Sequence, residues 1–212
     1  MTNTNTPAGN ISAAPRYKAR WLTVCGFLMA MNTVLSSFNI PVPGGHFYLN
    51  DVIIVAAALS LDPLGAFLVG GVGAFLGDFF FYPLPMFVSL ATHGLEAVVI
   101  SLFARRYGKK NLPLTFFGVF LGAFIVVIGY SLGRAYVYST PEYSLIKLPF
   151  EILQAGIGAI LGAFIWKNRN MGDTIQKIIN KKKDVFNRLT AVFYFLCRRS
   201  CPPYQLFPFL VQ

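Results

Sequence analysis

Between Trp21 and Ala104 the chain carries no lysine or arginine, and its carboxylates there are Asp51, Asp62, Asp78 and Glu96. A run this apolar has few ways to fold. Helices that cross a membrane satisfy their own backbone groups, and each needs about 20 apolar residues. The whole chain is 55% hydrophobic and 12% charged, where an average globular domain is about 25% charged. The net charge of +10 raises the alternative of a nucleic-acid surface. The basic residues flank apolar runs, however, and do not interleave with aromatic ones on a soluble face, which excludes that reading.

Proline and glycine clusters divide the run. They predict helices over 18–39, 50–61, 63–82, 85–105, 113–138 and 144–167. The second is too short to span alone, so it is expected either tilted within the bundle or entering from a re-entrant loop. The fold class expected is an all-α membrane protein, a six-transmembrane-helix bundle. Lysine and arginine set its orientation. Arg16, Lys18 and Arg20 precede the first helix, and Arg105, Arg106, Lys109 and Lys110 fill the loop after the fourth. Lys167, Arg169 and seven more follow the sixth. Basic loops stay in the cytoplasm, so six spans with both termini inside satisfy every cluster together. Lys147 is the only basic residue in the connection of helices five and six.

Three parts follow: a disordered N-terminal tail over 1–17, a transmembrane substrate-binding domain over 18–168, and a basic cytoplasmic tail over 169–212. Residues 1–15 hold no apolar core of a signal peptide. The tail's apolar residues from Ile175 to Leu196 recur at helical spacing between lysines, which suits an amphipathic helix on the inner leaflet as well as a frayed extension. Cys25, Cys197 and Cys201 make no metal-ligating set, and no metal or cofactor is expected. No phosphate-binding G-x-x-x-x-G-K-[ST] loop occurs, so the chain performs no nucleotide chemistry of this kind.

The scarce polar residues converge. With this orientation Asp78 lies near the outer end of helix three. His93 lies roughly 12 Å below the outer start of helix four at about 1.5 Å per residue, and Glu96 one turn deeper. Arg134, Glu151 and Gln154 fall in the outer half of helices five and six, with Tyr82 and Tyr130 at similar depth. The loop "GGHFYLND" (44–51) can cap the group. Charge at membrane depth is costly unless paired or hydrated. Two readings follow: helix-gluing ion pairs, or a polar pocket open to the outside, which the shared depth favours. Asp51 either caps helix two or touches ligand, and Glu96 either touches ligand or orients His93. The tyrosines can stack on a ring while Asp78, Arg134, Glu151 and Gln154 bind its substituents. On helix one, Ala19, Thr23, Gly26, Ala30, Thr33 and Ser37 make a small-residue face suited to close helix approach, either within this bundle or to a membrane partner.

The segment "NIPVPGGHFYLNDVIIVAAALSLDPLGAFLVGGVGAFLGDFFFYPLPMFVSLATHGLEAVV", followed by "GYSLGRA" (129–135) and "LPFEILQAGIGA" (148–159), resembles the S components of energy-coupling factor (ECF) vitamin transporters. The similarity is to the branch of riboflavin, hydroxymethylpyrimidine and pyridoxine carriers, over about 18–168. It implies six helices, a vitamin site in the outer half capped by the first loop, and a small-residue face on helix one (here Ala19, Thr23, Gly26 and Ala30). That face would dock on a membrane T component driven by two cytoplasmic ATPase subunits. The partners implied are those subunits, a small vitamin and membrane lipid, with no nucleic acid and no catalysis. His93 stands where lysine is common, Arg134 where an acid is common and Glu151 where asparagine is common. A pocket with these residues suits a small hydroxylated heterocycle such as a pyridoxine-like or hydroxymethylpyrimidine-like vitamin, and it also suits an anion bound at Arg134. The residues alone also admit a standalone membrane carrier or channel, and a membrane-embedded enzyme with His93 as base and Asp78 or Glu151 as acid.

Overall fold

The computed structural model describes residues 16–38, 40–43, 45–168 and 171–179. Six helices carry the fold. They are α1 (Arg16–Ser36), α2 (Asp51–Ala58), α3 (Pro63–Phe81), α4 (Met86–Arg106), α5 (Leu112–Tyr138) and α6 (Pro141–Asn168). A two-stranded antiparallel hairpin, β1 (Ile40–Val42) and β2 (Gly45–Phe47), joins α1 to α2 and pairs Ile40 with Phe47. Residues 171–179 are also helical. The remainder of the expected amphipathic tail, with Cys197 and Cys201, lies outside the described residues, as do residues 1–15 of the expected N-terminal tail.

Four helices, α3 to α6, are long and apolar enough to cross a membrane. α1 has 21 residues but falls outside that set. α2 has eight, about 12 Å at 1.5 Å per residue, which is too short to cross. Its short length is tolerable because it is wrapped in protein: Ile54, Val55, Ala56, Ala57 and Ala58 are all buried. It packs on α6, α4 and α3. The expected tilted or re-entrant second span is thus a buried stub that follows a hairpin.

Small residues set the helix spacing, as lipid-embedded bundles require. A Cβ on Gly71 of α3 would stand 2.9 Å from the Gly94 Cα of α4, and one on Gly162 of α6 would stand 2.7 Å from the Val55 Cβ of α2. α3 also carries a wide π turn at Leu68–Val72. Wide turns disturb the regular backbone ladder, and α1 supplies partners there. Asn32, fully buried, donates from Nδ2 to the Val69 carbonyl at 2.7 Å, and the Thr33 hydroxyl lies 3.3 Å from the Gly73 carbonyl. At the other end of the bundle the Trp21 indole donates to Asp62 Oδ1 at 2.5 Å, tying α1 to the turn before α3. Ser101 of α4 donates to the Leu61 carbonyl at 2.7 Å. The core between these ties is aliphatic, with Ile54, Val55, Leu59, Ala97, Ile100 and Trp166 in one cluster.

The glycine contacts give a controlled test. Gly71→Ala forces a methyl against Gly94 and the Leu90 carbonyl, a crowding that costs about 1–3 kcal/mol. Gly156 of α6 has nothing within 4 Å of its would-be Cβ. In detergent, Gly71→Ala is expected to lower the melting temperature by several degrees and Gly156→Ala to leave it unchanged.

Candidate functional site

A polar cavity of about 70 Å³ lies where the hairpin meets the ends of α3, α4, α5 and α6. Its walls bring together Asp78, Tyr82, Tyr130, Arg134, Glu151 and Gln154. Local sequence explains the convergence. The Tyr82 backbone turns out of α3 (φ −156°) just before Pro83, which disfavours a helical residue ahead of it. α5 ends in a second π turn, Arg134–Tyr138, which brings two cavity residues four apart into contact: the Arg134 guanidinium carbon sits 5.8 Å from the Tyr138 ring centroid. Pro149 interrupts α6 two residues before Glu151. Lacking an N–H, it leaves the Leu145 carbonyl without its helical donor.

Charge in the cavity is divided between two walls. On one, Arg134 Nη1 donates to Glu151 Oε2 at 3.0 Å, and Lys147 Nζ lies 3.5 Å from the same oxygen. Two cations share one carboxylate, so this wall keeps a net positive charge. On the other, Asp78 Oδ2 accepts from the Ser89 hydroxyl, which is itself bonded to the Tyr130 hydroxyl. Ser89 commits its proton to Asp78, so Tyr130 is the donor in the second bond. The cavity therefore presents donors on one side and a carboxylate on the other.

The hairpin forms the lid. Lys147 Nζ donates to the His46 carbonyl at 2.5 Å, and the Tyr48 N–H donates to Gln154 Oε1 at 3.1 Å. Gly45 has φ 152° and would place a Cβ 3.1 Å from Lys147 Cδ. A side chain there would be strained and would crowd the lysine. Two lining atoms, His46 Nδ1 and the Tyr48 hydroxyl, are buried with no hydrogen-bond partner. Buried polar atoms are nearly always paired, and here both border a space that a ligand can fill.

A second polar layer lies beneath. His93 Nδ1 is 2.9 Å from Glu96 Oε2, and His93 Nε2 is 3.6 Å from Asp51 Oδ1. Gln154 links the layers: its Nε2 donates to Asp51 Oδ2 at 3.1 Å while its Oε1 holds the hairpin. The His93 ring meets the Tyr130 ring edge-on at 5.3 Å.

The structure thus places six of the nine sequence-selected residues on the cavity wall and the other three, Asp51, His93 and Glu96, in this adjoining layer. Asp51 is the first residue of α2 and makes no capping hydrogen bond; its side chain turns to α6 and α4 instead. Glu96 holds His93, as its i+3 spacing allowed. His46, Tyr48, Tyr138, Ser89 and Lys147 escaped sequence selection. Lys147 carried a usable signal, being a lone lysine one turn before Glu151 in an apolar helix. On α1, Ala19, Thr23 and Ala30 are exposed and nothing lies within 4 Å of the would-be Gly26 Cβ. That half of the small-residue face is free among the described residues, while Thr33 packs on α3.

A bundle of apolar helices around a polar, hairpin-capped cavity is the build of a membrane protein that receives a small polar molecule. The family model of the ECF-type riboflavin transporter, S component, matches residues 16–170. The chain belongs to that family: it is a substrate-binding membrane subunit of the ECF transporters that take up vitamins. The family consists of transport subunits, not enzymes, and implies T and ATPase partners. No curated protein matches the chain.

The lid can be probed directly. Lys147→Met removes one of its two bonds to α6 and keeps the side-chain length. Amide exchange over residues 40–48 is expected to rise at least fivefold, with α4 unchanged; equal exchange in both proteins would mean that Lys147 does not hold the hairpin.

Proposed function

We propose that this S component captures a small hydroxylated heterocyclic vitamin, pyridoxine-like or hydroxymethylpyrimidine-like, from the outer side of the membrane. Asp78, Tyr82, Tyr130, Arg134, Glu151 and Gln154 bind it, with His93, Glu96 and Asp51 supporting from beneath. The observation that carries this reading is the divided cavity: a carboxylate faces an arginine–lysine pair across about 70 Å³. A ring bearing hydroxyls and a ring nitrogen offers donors to Asp78 and acceptors to Arg134 and Lys147, while Tyr82 and Tyr130 flank its faces. Pockets enclosing drug-sized ligands run to about 300–1,000 Å³, so the hairpin opens for a ligand to enter a cavity of about 70 Å³, and one ring needs less opening than the three rings of riboflavin.

The same reading sets the topology. α1, the hairpin with α2, and α3 to α6 act as six passes with both termini in the cytoplasm, because every lysine- and arginine-rich flank then lies inside. The open half of the α1 face, Ala19, Thr23, Gly26 and Ala30, docks on the T component, where small residues allow close approach.

Titration of the purified subunit with pyridoxine, hydroxymethylpyrimidine and riboflavin tests the ligand class. The single-ring compounds are expected to bind at least tenfold more tightly than riboflavin; the reverse order would end this assignment. Arg134→Ala is expected to cost at least 100-fold in affinity, about 2.8 kcal/mol at 1.4 kcal/mol per decade, with Arg134→Lys intermediate. Unchanged affinity would remove Arg134 from the site.

Gly26→Leu tests docking. It is expected to leave ligand affinity intact in the isolated subunit and to stop uptake in cells that co-express the T and ATPase components. Normal uptake would place docking elsewhere on the bundle, and uptake without those components would indicate a standalone carrier.

A further inference from the structure

The layer beneath the cavity holds more than support for a vitamin. Asp51, His93 and Glu96 do not line the cavity, and each is 2% exposed. One ligand atom from each lies within 4.8 Å of the others. Helix glue would need only one pair of these groups.

Three features distinguish the group. The first is the room made for it. A Cβ on Gly158 of α6 would stand 2.4 Å from the Asp51 Cβ, and one on Gly122 of α5 would stand 3.2 Å from the Glu96 Cγ. A Cβ on Gly70 of α3 would stand 2.9 Å from the His93 carbonyl oxygen. Three neighbouring helices are thinned to glycine where they meet the three residues.

The second is an unanswered oxygen. Asp51 Oδ2 accepts from Gln154, but Asp51 Oδ1 is buried with no hydrogen bond and faces His93 Nε2 at 3.6 Å. Two ligands each about 2.1 Å from one ion stand about 3–3.5 Å apart, so this pair is near the spacing of adjacent metal ligands.

The third is composition. Two carboxylates and an imidazole meet with no lysine or arginine ion-paired to either carboxylate among the described residues, and imidazole with carboxylate oxygen is a donor set that divalent first-row ions accept.

We propose that Asp51, His93 and Glu96 form a binding site for a divalent first-row metal ion such as Mn²⁺ or Zn²⁺. Oxygen and imidazole ligands without sulfur suit these ions. Asp51 Oδ1 and His93 Nε2 face the ion, and Glu96, held at His93 Nδ1, orients the imidazole from outside; the remaining coordination positions are open. Gln154 acts as the outer partner that fixes the Asp51 carboxylate. Because Gln154 also holds Tyr48, the ion site adjoins the lid and cavity. The site stands whether or not the vitamin assignment is correct.

The test uses the full-length, tag-free protein, stripped with chelator in detergent and titrated with Mn²⁺ while free ion is followed by electron paramagnetic resonance. One Mn²⁺ per chain is expected to bind saturably at micromolar concentration, with Zn²⁺ competing. Asp51→Asn and Glu96→Gln are each expected to weaken it at least tenfold, and Glu142→Gln, exposed at the start of α6, to leave it unchanged. Either metal is expected to raise the melting temperature of wild-type protein and of Glu142→Gln, but not of the other two variants. The absence of saturable binding of either ion to wild-type protein overturns the site; the triad then holds shared protons only. Binding that survives both Asp51→Asn and Glu96→Gln overturns it equally. No vitamin is present, so failure of the vitamin assignment leaves the outcome untouched.

Discussion

Glu151 is the group on which the polar interior depends. It accepts from Arg134 at 3.0 Å and lies 3.5 Å from Lys147, and all three are almost fully buried. Removing one partner of a buried ion pair strands the other, which costs about 3–5 kcal/mol. α5 cannot drift from α6 without exposing that cost. Lys147 in turn reaches the His46 carbonyl, so the carboxylate that joins two helices also sets the lysine that holds the lid. A neutral residue at 151 would leave Arg134 and Lys147 side by side on one wall without the carboxylate they share.

Burying so much polarity requires close backbones. Without glycine at 70, 122 and 158, added side chains would occupy the space where His93, Glu96 and Asp51 stand. The π turns work in the same direction. At Leu68–Val72 the disturbed ladder meets Asn32 and Thr33 from α1, and at Arg134–Tyr138 the extra residue in the turn turns both Arg134 and Tyr138 toward the cavity. Lipid-facing positions look quite different. Phe116, Phe120, Phe124, Ile152, Ile160 and Phe164 remain exposed on α5 and α6, as expected where the solvent is hydrocarbon.

Much of this was legible in the residues. All six expected helices agree with α1 to α6 to within three residues at either end, because proline and glycine punctuate the apolar run. Burial of Asp78, Arg134, Glu151 and Gln154 around one cavity followed from depth alone. The hairpin did not follow: two three-residue strands in "IPVPGGHF" are defined by pairing with each other and by bonds to Lys147 and Gln154, which no local propensity encodes. Lys147 was legible as a charge and lies inside the expected helix over 144–167, yet it was counted with the connection before that helix and so was not set beside Glu151, one turn further on. Asp51 invited reading as a cap, since the first turn of a helix favours a carboxylate. Tertiary partners on α6 and α4 claimed its side chain instead.

The closed cavity, about 70 Å³, lies well below the roughly 300–1,000 Å³ of pockets that enclose drug-sized ligands, and this constrains how a ligand enters. α3 to α6 are joined by buried polar pairs and by backbones so close that a Cβ added at several of their glycines would stand under 3 Å from a neighbouring helix, so parting these walls breaks buried polar pairs and close packing. The hairpin differs. Its described residues Ile40, Pro41 and Pro43 are exposed, and it is tied down by the Lys147 and Gln154 bonds. Each such bond is worth about 0.5–1.5 kcal/mol net, or up to about 3 for a charged donor, well below the cost of parting Arg134 from Glu151. Opening therefore begins at the hairpin. Both its ties are on α6, one helical turn to either side of Glu151, so the element that releases the lid is the same one that presents the cavity's central carboxylate.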